Sequence, residues 1–225
     1  MSSLEIITTS DGSHTLRNTD LNETYHSRHG AIQESVHVFI RSGLDFFCDR
    51  FEVSPIRILE VGFGTGLNAL LTLQWTLKRN REIHYTSLET HPLPEVIVSH
   101  LNYPDVIGSA EHFSKLHAAP WDSDTVISPF VILRKVKESL QDVSLAPSSF
   151  DIVFFDAFAP SKQPGIWDIS LLRKVAIAMK PNGVFVTYCA KGQVKRDLRE
   201  IGLVVETLPG PPGKEQMTRA GKYLT

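Results

Sequence analysis

Cysteine is almost absent: Cys48 and Cys189 are the only two in 225 residues, and they stand far apart, outside any Cys-x-x-Cys pattern. That scarcity excludes a disulfide framework and gives no support to a thiolate zinc site, so a reducing cytoplasm is the default compartment. Long hydrophobic runs are missing too. None approaches the roughly 18 apolar residues that a spanning helix needs. The first residues, Met1 to His14, have neither a basic patch nor an apolar stretch of signal type, so no secretory leader is expected. Histidine is present, but His26, His29 and His91 lack His-Glu-x-x-His or any paired-ligand spacing, and no metal is expected. An excess of one charge is also lacking: 23 Lys+Arg oppose 25 Asp+Glu, for a net −2, while 42% of residues are hydrophobic. Such a balance excludes a chain disordered throughout and allows one sizeable core.

The neutral total hides an asymmetry. Residues 1–170 carry 13 basic and 21 acidic side chains, whereas residues 171–225 carry 10 basic and 4 acidic. A basic C-terminal third suits either a polyanionic partner or an ordinary solvated helix face.

Patterning supplies the rest. Ile6 to Thr9 and His14 to Leu16 flank Asp11-Gly12 and read as a hairpin. Ile32, Val36, Phe39, Ile40, Leu44 and Phe47 fall at helical spacing, which predicts an amphipathic helix over 31–48. From Pro55 onward apolar strands alternate with helices. Strands are expected at 56–61, 83–88, 130–136, 150–155, 184–189, 203–208 and about 215–223. Helices are expected at 67–79, around 93–117, at 168–179 and at 193–201, with Lys180-Pro-Asn-Gly183 closing the third. This alternation predicts an α/β fold, a mostly parallel twisted sheet with helices on both faces. In such sheets a ligand sits beyond the carboxyl ends of the strands. Three motifs stand there: Gly62 to Gly66, Glu89 and Asp156.

Glycines at 62, 64 and 66 allow a tight turn and close approach of a ligand. The dinucleotide fingerprint would place its third glycine at 67, which is Leu. A nicotinamide or flavin site, or a turn with no ligand, remain alternatives on these residues alone. Glu60-x-Gly-x-Gly-x-Gly66 resembles motif I of class I S-adenosylmethionine-dependent methyltransferases. Glu89 at the end of a strand can accept from ribose hydroxyls. Phe150 to Phe155 delivers Asp156 to the sheet edge, followed by a stiff loop with Pro160, Pro164, Phe158 and Trp167.

Together these words resemble the methyltransferase half of MnmC-type tRNA-modification enzymes, from about Tyr25 to Lys222. The matching strings are Tyr25 with Glu34-Ser35, Glu60 to Asn68, Glu89-Thr-His-Pro-Leu93, Asp156-Ala-Phe-Ala-Pro-Ser-Lys-Gln-Pro-Gly-Ile-Trp167, Lys180 to Gly183, and Lys191 to Gly202. The resemblance implies a Rossmann-like methyltransferase domain over 51–225, with an antiparallel C-terminal strand, preceded by a hairpin and helix extension over 1–50. It implies S-adenosyl-L-methionine as cofactor, held by Glu60, Gly62, Phe63, Gly64, Thr65, Gly66, Asn68 and Glu89. The implied reaction is methylation of the aminomethyl group of wobble uridine in tRNA, with Asp156 orienting the amine and taking its proton. Tyr25, Glu34, Phe158, Lys162, Trp167, Lys191 and Arg196 are the implied substrate contacts. A transient tRNA partner and a separate oxidase-type partner protein follow, since two-domain members carry a flavin-dependent half. Three features depart from the family, one being an overall charge that is mildly acidic for an enzyme acting alone on RNA. Leu133-Arg-Lys-Val-Lys137 lacks the acid that usually follows the third strand to meet adenine, leaving backbone donors or Glu138. The family's Lys-Arg-Glu-Met word reads Lys214-Glu-Gln-Met217. A methyltransferase of a small-molecule or protein amine, and a non-catalytic binding homologue, are the alternatives.

Overall fold

The computed structural model describes residues 4–223. It begins with a small antiparallel sheet: β1 (Leu4–Thr8), β2 (His14–Asn18) and the two-residue β3 (Glu23–Thr24). Asp11 forms the turn and does more than shape it. Its Oδ1 accepts from Thr9 Oγ1, Ser13 N and Ser13 Oγ, while Oδ2 accepts from Gln33 N at 3.0 Å. The hairpin tip thereby satisfies a free N–H in the first turn of the next helix, where a carboxylate also meets the positive end of the helix dipole.

That helix runs without a break through Ala31–Ser35, Val36–Asp45 and Phe46–Cys48. Its middle ten residues are wound as a π-helix, and Ser42 Oγ donates to the His37 carbonyl five residues back. The helix crosses the main sheet at Gly43. A Cβ there would lie 3.0 Å from Val186 and 3.1 Å from Phe154, so the absence of a side chain sets the approach. Phe39 packs on Phe154 beside it, the rings tilted at a centroid distance of 5.2 Å.

The main sheet comprises β4 (Ile56–Val61), β5 (Ile83–Leu88), β6 (Asp124–Ser128), β7 (Val131–Val136), β8 (Phe150–Phe155), β9 (Met179–Thr187), β10 (Val204–Pro209) and β11 (Gln216–Gly221). Its order is β10-β11-β9-β8-β4-β5-β7-β6. Strands β9, β8, β4, β5 and β7 are parallel; β11 and the edge strand β6 run against their neighbours. This is the expected α/β class, including the antiparallel C-terminal strand. One face packs beneath the N-terminal helix, Leu67–Arg79 and Ala110–Ala118; the other packs beneath Ile169–Ala178 and Gly192–Glu200. Both faces are buried, which explains the continuous apolar runs of β4 and β8. Chain order reverses at β4, with β5 on one side and β8 on the other, and this opens a crevice beyond the carboxyl ends of all three.

Three expectations change. The helical region around 93–117 is three short helices, Glu95–Val98, Tyr103–Ile107 and Ala110–Ala118, because Pro104 starts one and Gly108, left-handed at φ 74°, ends it. Strand β6 was not foreseen. It is a short edge strand joined to β7 across a register shift, and its sequence, Asp-Thr-Val-Ile-Ser, has little apolar content. Lys180 to Gly183 does not close a helix by itself: the helix stops at Ala178 and these residues lie inside β9, where the pairing with β8 shifts register and Asn182 takes φ 64°.

Candidate active site

β4 leads directly into the glycine turn. Gly62, Gly64 and Gly66 all have positive φ, at 99°, 51° and 73°. A Cβ on Gly62 would sit 2.7 Å from the Asp156 carbonyl oxygen. Only glycine lets the ends of β4 and β8 abut there, and Asp156 N donates to the Val61 carbonyl at 3.0 Å. At the end of β5, Glu89 grips the same turn: Oε2 accepts from Gly64 N at 3.0 Å and Oε1 from His91 N at 2.8 Å. The Tyr25 ring lies against the open side of Gly64 and meets Phe158 edge-on at 5.1 Å. Burial, together with the charge of Glu89, pushes the Tyr25 phenol up to about 12, so it is a neutral hydroxyl.

Three polar side chains converge beneath this turn. Asn68, in the first turn of Leu67–Arg79, donates through Nδ2 to Asp156 Oδ2 at 2.8 Å. Glu60 is fully buried on β4, and its Oε2 accepts from Ser87 Oγ at 2.6 Å. Glu60 Oε1 and Asn68 Oδ1 have no hydrogen-bond partner. Burial drives the Glu60 carboxyl up to about 8, Ser87 offsets part of this, and the nearby Asp156 charge adds to it. Asp156 is pushed up to about 7, first by burial and then by the charge of Glu34, with Asn68 and Lys214 acting the other way. A half-buried carboxyl whose affinity for a proton is that high belongs among groups able to accept one at neutral pH.

The N-terminal segment closes the far side. Glu34 is buried; its Oε2 accepts from Ser27 N at 2.6 Å and its Oε1 pairs with Lys214 Nζ. Lys214 Nζ lies 3.9 Å over the Tyr188 ring, and Tyr188 donates its hydroxyl proton to the Ala157 carbonyl at 2.8 Å. A recess of about 460 Å³ opens between Ala159 and Pro160 on one wall and Tyr188, Lys191, Lys214 and Gln216 on the other. A smaller hollow of about 160 Å³ among Arg17, Glu23 and Arg28 lies outside this convergence of acids.

The residues singled out from the sequence therefore divide. Glu60, Gly62, Gly64, Gly66, Asn68, Glu89, Asp156, Tyr25, Phe158 and Glu34 come together around one crevice. Phe63 and Thr65 belong to the turn through their backbone. The Phe63 ring packs on His117 and Trp121 with the buried Lys135 nearby, and the Thr65 side chain is buried. Trp167 anchors the loop from behind: buried against Phe155 at 4.8 Å, it donates Nε1–H to the Phe158 carbonyl at 2.8 Å. Lys162 ties the same loop to the N-terminal segment by donating to the Leu21 carbonyl. Lys191 is exposed at the recess, and Arg196 is exposed one turn along its helix, bonded to Gln193. Two participants were missed. Tyr188 was hidden because it follows an unremarkable strand. Lys214 looked like a weakened basic word, whereas its partner Glu34 is 180 residues away in sequence.

Residues 109–223 match a family of S-adenosyl-L-methionine-dependent methyltransferases. The chain belongs to this family. This methyltransferase is also 30% identical over 223 residues to a tRNA 5-methylaminomethyl-2-thiouridine biosynthesis bifunctional protein MnmC from Leptospira borgpetersenii, with 89% of this chain and 32% of that protein covered. A protein of the same name from Vibrio campbellii is 28% identical, covering 87% and 32%. The crystal structure of MNMC2 from Aquifex aeolicus superimposes with a TM-score of 0.74 at 26% identity, over 99% of this chain and 71% of that one. The methyltransferase spans about a third of the length of the curated relatives it matches. A spermidine synthase from Thermotoga maritima shares the fold, with a TM-score of 0.55 at 14% identity.

The cofactor of the methyltransferase is S-adenosyl-L-methionine, and the residues present fit it. A Cβ-free turn leaves backbone accessible, a carboxylate stands at the end of β5 where ribose hydroxyls are read, and buried acceptors with spare capacity lie below. No acid stands at the carboxyl end of β7 itself: the strand ends at Val136, and exposed Lys137 and Glu138 follow it. Among the described residues no helix is long and apolar enough to cross a membrane, and no cluster of three or more metal-ligating side chains occurs.

Proposed function

We propose that this methyltransferase N-methylates the aminomethyl group of wobble uridine in tRNA, giving 5-methylaminomethyl-(2-thio)uridine. One observation carries the reading. In a chain with this likeness to the MnmC proteins, a half-buried Asp156 with its carboxyl pushed up to about 7 stands at the end of β8, beside the glycine turn. When bound, the cofactor supplies a methyl group activated on a sulfonium. Glu89 would receive the ribose hydroxyls, and the turn from Gly62 to Gly66 would seat the methionine end, with Glu60 and Asn68 beneath.

Asp156 performs the substrate chemistry. An alkylammonium with a pKa of roughly 9–10 has no lone pair to offer until a proton leaves. Asp156 accepts its hydrogen bonds, holds the nitrogen in line and receives the proton directly or through water. The raised carboxyl narrows the gap to the amine, and Asn68 fixes its second oxygen. Tyr25 and Phe158 present ring edges to a flipped base, while Lys191 and Arg196 face the surface where phosphates would pass. A separate oxidase-type partner would provide the 5-aminomethyl substrate, and the cytoplasm is where it would meet tRNA.

The pairing of Lys214 with Glu34, which removes one cation from RNA contact, favours a second reading: a small-molecule amine as acceptor. Transfer of labelled methyl to bulk tRNA lacking the modification, followed by nucleoside analysis, decides between them. Label in 5-methylaminomethyl-(2-thio)uridine is expected. No incorporation into tRNA by protein that binds the cofactor overturns the tRNA reading.

A further inference from the structure

We propose that Lys214 is a positioning residue for the reaction: paired with Glu34, it cancels that carboxylate's charge and leaves Asp156 as the acid that receives the substrate nitrogen. The inference rests on the proposed amine chemistry at Asp156 and adds a residue to it.

The geometry is specific. Glu34 comes from the first turns of the N-terminal helix and Lys214 from the connection between β10 and β11, and they meet beside Tyr188, whose hydroxyl bonds the residue after Asp156. The Glu34 side chain is 5% exposed. A carboxylate so buried is tolerated only with a partner, and Lys214 is the ion-pair partner it has. The lysine is constrained from the other side by the Tyr188 ring, whose hydroxyl holds the Ala157 carbonyl. One side chain thus touches both the competing acid and the platform under the residue after Asp156.

The charge arithmetic gives the reason. Besides burial, the groups that act on Asp156 are Glu34, Lys214 and the Asn68 amide, and Asp156 in turn acts on Glu60 on β4, Tyr85 on β5, Tyr103 and Tyr188 after β9. Among these described residues Lys214 is the one cation. Two unscreened carboxylates sharing a site do not both ionise, and the proton they retain settles on one of them. Without Lys214, Asp156 would hold its proton to higher pH, and Glu34 would offer a second, misplaced anion to an incoming ammonium. A phosphate-binding role fits the geometry less well, because Nζ is turned inward onto Glu34 and Tyr188.

The test titrates Asp156 in the protein labelled with 13C at aspartate carboxyls, with its resonance assigned by Asp156→Asn. Wild type, Lys214→Met, Lys214→Arg, Glu34→Gln and the double Glu34→Gln/Lys214→Met are compared. Lys214→Met should raise the Asp156 midpoint by about one pH unit, and Lys214→Arg should leave it near wild type. Glu34→Gln should lower it, and the double variant should undo the rise. This readout needs no tRNA, so it stands apart from the identity of the acceptor. In methyl-transfer assays, the acid limb of kcat/KM for Lys214→Met should move the same way, costing about tenfold below the midpoint and recovering at high pH; one pH unit corresponds to that factor. An unchanged midpoint in folded Lys214→Met overturns the proposal, as does a double variant that fails to restore it. If Lys214→Met does not fold, an Asp156 midpoint in Glu34→Gln that fails to fall overturns it equally.

Discussion

At the scale of single residues, Asp156 combines two effects that one substitution separates. Asp156→Asn keeps the shape and an acceptor for Asn68 but removes the charge and the proton site. Methyl transfer should fall by about 10²–10⁴-fold, the range for a lost positioned acid or base, with cofactor affinity within about twofold of wild type. Unchanged turnover would remove Asp156 from the chemistry. The same variant has a stability signature. The folded carboxyl is raised from the ordinary 3.8 to about 7, so between those values the native state binds more protons than the unfolded chain, and stability falls as pH rises. The asparagine is free of that penalty. Its melting temperature should therefore gain on wild type more at pH 8 than at pH 4; an equal difference at both would show that the carboxyl is not perturbed. Asp156, Glu89 and the glycines were legible in the sequence because strand ends and motif spacing mark them. The role of Lys214 was not, since an ion pair spanning 180 positions leaves no local pattern.

Elements were legible where periodicity is strong and both ends are marked. β4, the helix Leu67–Arg79, β5 and β8 begin and end where the apolar runs do. Edge strand β6 and the broken region 95–118 were not, because neither has a continuous apolar face. The turn at Asp11 shows how a small element carries a larger one. Burial alone would raise its carboxyl, but bonds from Ser13, Gln33 and Thr9 outweigh that and hold it below 3.8. Asp11→Ala removes a cap-like bond from the helix start and should cost about 0.5–2 kcal/mol. In a domain of this size, that is a melting-temperature loss of about 1–8 °C. Because the folded value is depressed, the carboxylate's contribution is present above pH 3.8 and lost as pH falls through the folded value. The difference between Asp11→Ala and wild type should shrink as pH falls below 3.8, and a constant difference would assign the loss to packing. At the β4–β8 junction, Gly62→Ala should destabilise by more than about 1 kcal/mol, since its Cβ would meet the Asp156 carbonyl and φ is 99°. A thermal scan matching wild type would show that the two strand ends can part without cost.

At the scale of the molecule, the basic C-terminal third looks different once its side chains are placed. Lys174 donates to the Leu140 and Gln141 carbonyls, and Lys222 to those of Ala176 and Met179. Lys180 pairs with Asp151, Arg219 with Glu206, Lys214 with Glu34, and Lys195 donates to Gln216. Six of the ten basic residues in 171–225 are thus engaged in holding helix ends, strands and acids. Arg173, Lys191, Arg196 and Arg199 remain on the surface, the last two bonded only within their own helix. Composition left a polyanion-binding face and an ordinary solvated helix face both open; the placed side chains leave about four cations for the first. Each phosphate neutralised on a single strand contributes roughly −0.7 to the slope of log affinity against log salt. If tRNA is held by this face of the isolated chain, the slope should be about −3, and Lys191→Ala with Arg196→Ala should halve it while leaving cofactor binding unchanged. A slope of −6 or steeper would place most of the phosphate contacts on another surface, the Arg17 and Arg28 side of the N-terminal sheet being the next to test.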